Sequence, residues 1–198
     1  MVIKQCILES VGATIEHFGT AEHIFLEKDV PKFYYQIIDG KVKLNNYNAE
    51  GKEVLHNILE NGQSVGESAL FLEGTYPINA IALIPCKVLK LPRSAFIDLL
   101  LTSPEISMEI NKRISSFLHF KHVMGQIVCT HNPMVKLMAL LDYLKSIHQE
   151  KEPFAFQVPF TRQEMANLTG LCVETTIRTV KTMERNKIVK IRNRKILY

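Results

Sequence analysis

Short apolar runs separated by turn residues fill the chain from about residue 10 to residue 92. Phe33 to Ile38 is rich in strand formers, Asp39-Gly40 follows it as a hairpin signal, and Lys41 to Leu44 alternates as a half-buried strand does. A second β-rich region extends from Ile78 to Leu91. Several short strands at this spacing predict a β-sandwich or barrel.

Beyond Pro92 the apolar period lengthens to that of a helix, and the spacing predicts one long helix from Pro104 to Cys129. Its seam consists of two rows, and within each row the residues are spaced seven apart along the sequence. The first row is Ile110, Phe117 and Met124, and the second, offset by four residues, is Ile114, Lys121 and Val128. A heptad seam favours pairing with a second copy of the helix, which would place Ile110, Ile114, Phe117 and Met124 in a dimer interface. The alternative is that this face packs on the β-domain of its own chain.

The last third of the chain has helical periodicity interrupted by two non-helical segments. Thr130 to Pro133 is predicted to be a hinge, and Val135 to Ile147 is an amphipathic helix. The segment from Gln149 to Pro159 is polar and then β-rich, which predicts a loop or a short strand before the next helix.

Residues 161–186 have the pattern of a helix-turn-helix. Thr161 and Glu164 have the spacing of a capping box, and a short helix follows to about Leu168. The turn Thr169-Gly170-Leu171 then leads into a second helix from about Val173 to Asn186.

The second helix of this motif would enter the major groove of DNA by its N-terminal half. Arg178 can donate two hydrogen bonds to guanine, and Glu174 can accept one from cytosine. Thr175 lies beside them, and Val173 and Ile177 could each contact a thymine methyl group. The alternative is an ordinary ion pair between Glu174 and Arg178 on a solvated helix.

Two short alternating runs, Ile188 to Ile191 and Lys195 to Tyr198, flank Arg192-Asn193-Arg194 and predict a β-hairpin with a basic tip. Such a wing would contact the phosphate backbone, which gives affinity and salt dependence without sequence information. The predicted phosphate contacts are Thr161, Arg162, Lys181, Arg192 and Arg194, with Arg185 and Lys190 as further cations.

Charge is distributed unevenly along the chain. Residues 1–132 carry 12 basic and 14 acidic side chains, whereas residues 133–198 carry 12 basic and 6 acidic ones. A basic C-terminal module suits a polyanionic partner, although a merely basic surface would look the same by charge alone. The chain contains no apolar run of eighteen residues and no start of signal-peptide type, so we expect a cytoplasmic protein without a membrane partner.

Four segments in order resemble the Crp/Fnr family of transcription regulators, and the resemblance covers nearly the whole chain. They are the runs 33–42, 62–71, 160–170 and 174–178, the last matching the family's E-[ST]-x-x-R signature. The resemblance implies an α+β protein with a jelly-roll effector domain (1–103), a dimerisation helix (104–129) and a winged helix-turn-helix (130–198). It also implies a homodimer on a palindromic operator and contact with RNA polymerase, with control by a small-molecule effector and a constitutively competent protein as the two alternatives.

The effector region departs from the pattern of cyclic-AMP-binding members. In those members the Gly-Glu pair is followed by an Arg-Ser that holds the cyclic phosphate, whereas the equivalent stretch here, Thr75 to Asn79, has no Arg. Phe117 and Leu118 replace the polar pair that recognises adenine. Cyclic AMP is therefore not expected, because a buried phosphate would lack a charged partner. The candidate effector pocket consists of Gly66, Glu67, Ser68, Tyr76 and Phe117.

Other cofactors and function classes have weaker support. An iron-sulfur cluster is not expected, since Cys6 is the only cysteine near the N-terminus and Cys86, Cys129 and Cys172 are dispersed. Haem is possible, with candidate ligands His17, His23, His119, His122 and His131. An alternative function is a nucleotide- or haem-sensing protein without a DNA target. An enzyme is not expected, because no Ser/His/Asp array, HExxH or P-loop is present.

Overall fold

The computed structural model describes residues 1–148 and 152–198, and it divides into two compact units, residues 1–118 and 119–198. The boundary falls within the long helix α3 (Pro104–Cys129), whose bounds are those predicted from the sequence. In the part of the chain that is described, no helix is long and apolar enough to cross a membrane.

The first unit is a jelly roll of two antiparallel four-stranded sheets, as predicted. One sheet has the strand order β1-β8-β3-β6 and the other β2-β7-β4-β5. The elements before α3 are, in chain order, α1 (Gln5–Ser10), β1 (Thr14–Phe18), β2 (His23–Phe25), β3 (Phe33–Asp39), β4 (Val42–Tyr47), β5 (Glu53–Leu59), β6 (Ser64–Val65), a 3₁₀ helix (Glu67–Phe71), β7 (Asn79–Ala82), β8 (Cys86–Pro92) and α2 (Arg93–Thr102).

The hairpin predicted at Asp39-Gly40 is wrong. Strand β3 pairs with β6 and β8, whereas β4 pairs with β5 and β7, so the chain crosses between the sheets at this turn. Gly40 has φ +121°, and a Cβ there would lie 2.4 Å from Cys86 Sγ and 2.9 Å from its Cα. Glycine is therefore required by the close approach of another strand as well as by the turn itself.

The first half of α3 packs on its own β-domain. Ile110 is 1% exposed and lies in a core cluster with residues of α1, α2, β3 and β8, against which Ile114 also packs. At these two positions the structure follows the alternative interpretation of the seam, because their side chains are already covered within the chain. Further along, Met124 is buried and Lys121 half-buried, both in the second unit.

The second unit is a small helical domain with a two-stranded hairpin. Beyond the end of α3 it contains α4 (Pro133–His148), α5 (Arg162–Thr169), α6 (Val173–Arg185), β9 (Lys190–Arg192) and β10 (Lys195–Leu197). Of the predicted loop or strand at 149–159, residues 149–151 lie outside the described residues, and Gln157 forms a single antiparallel bridge with Leu197. The fold class is thus the predicted jelly roll, long helix and winged helix-turn-helix.

Candidate nucleic-acid interface and interior cavity

The first helix of the motif, α5, has the predicted capping box. The Thr161 hydroxyl accepts from the Glu164 backbone N–H (3.2 Å), and the Thr161 N–H donates to Glu164 Oε2 (2.6 Å). Gly170 ends the helix in the left-handed conformation with φ +69°. Ala166 is fully buried, as expected where α5 and α6 pack closely. These contacts fix the angle at which the chain enters α6.

Helix α6 turns one polar and charged face to solvent. Its exposed side chains include Glu174, Ile177, Arg178 and Lys181, which share one face by their spacing. No ion pair within 4 Å joins Glu174 to Arg178, both of which belong to the described residues. The structure therefore does not contain the ion pair of the alternative interpretation, and both charged groups face solvent.

The other predicted base-contacting residues are less open. Val173 and Thr175 are half-buried, and the Thr175 hydroxyl lies 2.9 Å from Cys172 Sγ. Cys172 is the N-cap of α6 and makes no side-chain capping bond to the backbone, in keeping with the weak capping ability of cysteine.

The wing is a tight hairpin with a basic tip. Arg192 pairs with Lys195 across a two-residue turn in which Asn193 and Arg194 both have positive φ, 49° and 63°. Such a turn matches the twist of the flanking strands. Arg162 Nη1 donates to the Arg194 carbonyl at 2.7 Å, so this predicted phosphate contact also holds the wing tip against the start of α5.

A buried lysine connects two helix ends in the second unit. Lys136, on α4, is 7% exposed, and its Nζ donates at 3.0 Å both to the Val128 carbonyl and to the Thr169 carbonyl. Val128 lies in the last turn of α3 and Thr169 ends α5. Carbonyls at helix C-termini lack intrahelical partners and carry partial negative charge, so the ammonium satisfies and stabilises both ends.

The first unit contains one interior cavity of about 40 Å³ that is lined by four of the five predicted effector-pocket residues, Gly66, Glu67, Ser68 and Phe117. The other lining residues are Leu44, Leu59, Ser64, Ile78 and Arg113. Tyr76 is not among the lining residues. It stacks on Phe25 in the core, with ring centroids 3.7 Å apart, and burial raises the pKa of its hydroxyl well above the ordinary value.

Arg113 is the one charged side chain among the five lining residues that were not predicted from the sequence. Its Nε lies 3.8 Å from Glu67 Oε1, and both side chains are largely buried. Nothing in the local sequence marks it, but it lies three residues after Ile110 and four before Phe117, so the helical period places it on the same face. A search for cations on that face could have found it.

The candidate haem ligands are dispersed on the surface. His17, His23, His119, His122 and His131 are all exposed. Over residues 1–148 and 152–198, no group of three or more His, Cys, Asp or Glu side chains is placed to hold a metal ion.

Comparison with known families agrees with this architecture. A cyclic nucleotide-binding domain model matches residues 15–103, and a Crp-like helix-turn-helix domain model matches residues 135–198. The chain belongs to the Crp/Fnr family. It is a transcription regulator whose helix-turn-helix binds DNA.

Relatives from this Crp/Fnr family share modest identity with the chain over most of its length. The cAMP-activated global transcriptional regulator CRP of Pasteurella multocida is 27% identical over 174 residues, covering 82% of this chain and 79% of the relative. The nitrogen fixation regulation protein FixK of Bradyrhizobium diazoefficiens is 23% identical over 190 residues, covering 92% and 76%.

Solved Crp/Fnr structures have the same fold. The c-di-GMP-responsive regulator CLP of Xanthomonas campestris has a TM-score of 0.77 at 20% identity, covering 97% of this chain and 96% of the other. A CooA mutant from Carboxydothermus hydrogenoformans has a TM-score of 0.80 at 14% identity, covering 98% and 85%.

Proposed function

We propose that the protein is a homodimeric, sequence-specific regulator that binds a palindromic operator, contacts RNA polymerase and responds to an effector other than cyclic AMP. Glu174 and Arg178 would contact the bases of a G·C pair, with Val173, Thr175 and Ile177 beside them. The observation that carries this proposal is the exposed face of α6, where a carboxylate and a guanidinium stand four residues apart without pairing with each other.

Phosphate contacts would come from exposed cations on α6 and the wing and from the start of α5. Lys181 continues the exposed face of α6, and Arg192 and Arg194 are exposed on the wing. Thr161 is exposed at the start of α5, where its hydroxyl, which accepts from the Glu164 N–H, can still donate to a phosphate, and Arg162 beside it is half-buried. These groups would set affinity and its salt dependence, while α6 sets the preferred sequence.

The dimer would form through a different stripe of α3 from the one predicted. Met108, Asn111, Ser115 and Leu118 are exposed and follow one another at spacings of three, four and three, which is the spacing of a heptad seam. Ile110 and Ile114 lie on the neighbouring face, which the β-domain covers. A polar Asn within such a seam would fix the register of the two helices.

The cavity supports an effector other than cyclic AMP. Ile78 is the residue of the segment Thr75 to Asn79 that lines the cavity, and it is apolar, so this segment supplies no cation for a phosphate. The cation that lines the cavity, Arg113, already lies 3.8 Å from the Glu67 carboxylate, so no net positive charge remains to balance a phosphate. The volume of about 40 Å³ is also well below the roughly 300 Å³ at which ordinary ligand pockets begin.

Selection of bound sites from a pool of random DNA duplexes, followed by competition against unselected duplex, tests the proposal. Glu174→Ala and Arg178→Ala should each lose about 1–3 kcal/mol of preference for the selected site, because each removes a contact to a base edge. Lys181→Ala is the matched contrast on the same face. It should weaken binding to all duplexes alike and reduce the salt slope by about one. Unchanged sequence preference in Arg178→Ala would refute the assignment.

A further inference from the structure

We propose that the interior cavity of the first unit binds a compact, uncharged ligand that presents a hydrogen-bond acceptor and a donor side by side on an apolar body. A primary amide and a lactam are examples of this chemistry. The inference rests on the proposed function, because it names the chemical class of the effector. Such a ligand differs from a cyclic nucleotide in both size and charge.

The first observation is a buried cation with an unused donor. Arg113 Nε is excluded from solvent and has no hydrogen-bond partner. The nearest carboxylate oxygen, Glu67 Oε1, is 3.8 Å away, which is beyond hydrogen-bonding distance. A buried N–H of a charged group without an acceptor is costly, so a ligand that supplies an acceptor at this point would bind favourably.

The second observation is that the two charged groups have complementary needs. The guanidinium of Arg113 can only donate, and the carboxylate of Glu67 can only accept. The oxygen and nitrogen of an amide are about 2.2 Å apart from standard bond lengths. Hydrogen bonds of about 2.9 Å from Nε to the amide oxygen and from the amide nitrogen to the carboxylate would bridge the two groups. Because Arg113 Nε and Glu67 Oε1 are 3.8 Å apart, both hydrogen bonds can form at these lengths at the same time.

The third observation is the charge balance of the cavity. Arg113 and Glu67 are the charged residues among its lining residues, so their formal charges cancel. An anionic ligand would leave one uncompensated negative charge among Leu44, Leu59, Ile78 and Phe117. Burying such a charge costs far more than burying a neutral polar group whose hydrogen bonds are satisfied. An uncharged ligand is therefore favoured over a carboxylate or a phosphate.

The apolar lining and the small volume set the remaining features of the ligand. The aliphatic side chains of Leu44, Leu59 and Ile78 offer contacts for a methyl or methylene group. Because the cavity of about 40 Å³ has room for only about three water molecules, the ligand must be compact.

Methyl NMR on the full chain tests this inference, with Leu44, Leu59 and Ile78 as reporters inside the cavity. Acetamide, acetate and acetone are titrated separately, because they have the same number of non-hydrogen atoms and differ in charge and in the N–H donor. Acetamide should shift the reporter methyls saturably, and the other two should bind more weakly by roughly tenfold or more. Arg113→Met should weaken the binding of acetamide to a similar extent, whereas Lys112→Met, an exposed neighbour on α3, should bind it as the wild type does.

Three outcomes would overturn the inference: no saturable shift with acetamide, binding of acetate or acetone at least as tight, or wild-type binding by Arg113→Met. If Arg113→Met does not fold, the comparison of the three compounds on the wild-type protein decides alone. Selection from random duplexes on the same preparation separates the two proposals. Operator selection without a methyl shift refutes only the ligand class, and a methyl shift without operator selection refutes the proposed function.

Discussion

Replacing Lys136 by Met should destabilise the second unit, because it removes the donor that two helix ends share. Met keeps most of the length and volume of the lysine stem, so packing changes little. The Val128 and Thr169 carbonyls, each 3.0 Å from Nζ, would lose their charged partner. Leaving the buried Thr169 carbonyl without a donor costs about 1–3 kcal/mol, whereas the bond to the Val128 carbonyl is only partly buried and its loss costs less. Removing the buried ammonium recovers part of this cost, because its own desolvation is relieved. We expect a net loss of about 2 kcal/mol.

The appropriate assay is native-state hydrogen exchange of the full chain, observed at the amides of α4, α5 and α6. Exchange resolves the second unit by itself, whereas a single unfolding curve of a chain with two units need not be two-state. Lys181→Met, exposed on α6, is the control and should change stability by less than about 0.5 kcal/mol. Equal or slower exchange in Lys136→Met than in wild type would refute the reasoning, because the burial cost of the ammonium would then exceed the value of its two bonds.

Three further predictions concern stability. Thr161→Ala should cost about 1 kcal/mol through loss of the capping box, measured by native-state hydrogen exchange at the amides of α5, and unchanged exchange would contradict this. Gly66→Ala should cost about 2–4 kcal/mol, because a Cβ would lie 2.7 Å from Phe25 Cζ at a positive φ; the control Gly51→Ala, with positive φ but open space, should cost less. Burial lowers the pKa of Lys121 to about 8, so the unfolded chain holds this proton more tightly. The stability of wild type relative to Lys121→Met should therefore rise between pH 8 and about 10.4, and a flat difference would contradict it.

The sequence predicted those features that depend on neighbours along the chain. The bounds of α3 follow from its apolar period, and the start of α5 follows from Thr161 and Glu164, three residues apart. The turn at Gly170 was likewise recognisable, since the left-handed conformation at a helix end favours glycine. In the two cases at α5 the contact that stabilises the feature also lies within one helical turn of the residue that signals it.

Features that depend on distant residues could not be predicted in this way. Asp39-Gly40 has the local chemistry of a hairpin, but the partners of β3 and β4 are strands formed later in the chain. Glu67 and Arg113 meet across 46 residues of sequence, so neither predicts the other. The apolar face of α3 was recognised, but periodicity alone does not say whether that face meets its own domain or a second copy.

The two-residue turn of the wing limits how this hairpin can diverge. One residue inserted at Asn193-Arg194 would either replace the two-residue turn by a longer loop of different geometry or, if it entered β10, change the pairing of Arg192 with Lys195. Because side chains alternate across a strand, the second outcome would turn the following side chains to the opposite face. Ile196 would then leave the interior, where it is 3% exposed, and the Arg194 carbonyl would move away from Arg162. Evolution of a new operator preference is therefore expected to proceed by exchange of side chains at a constant loop length, rather than by insertion or deletion at the tip.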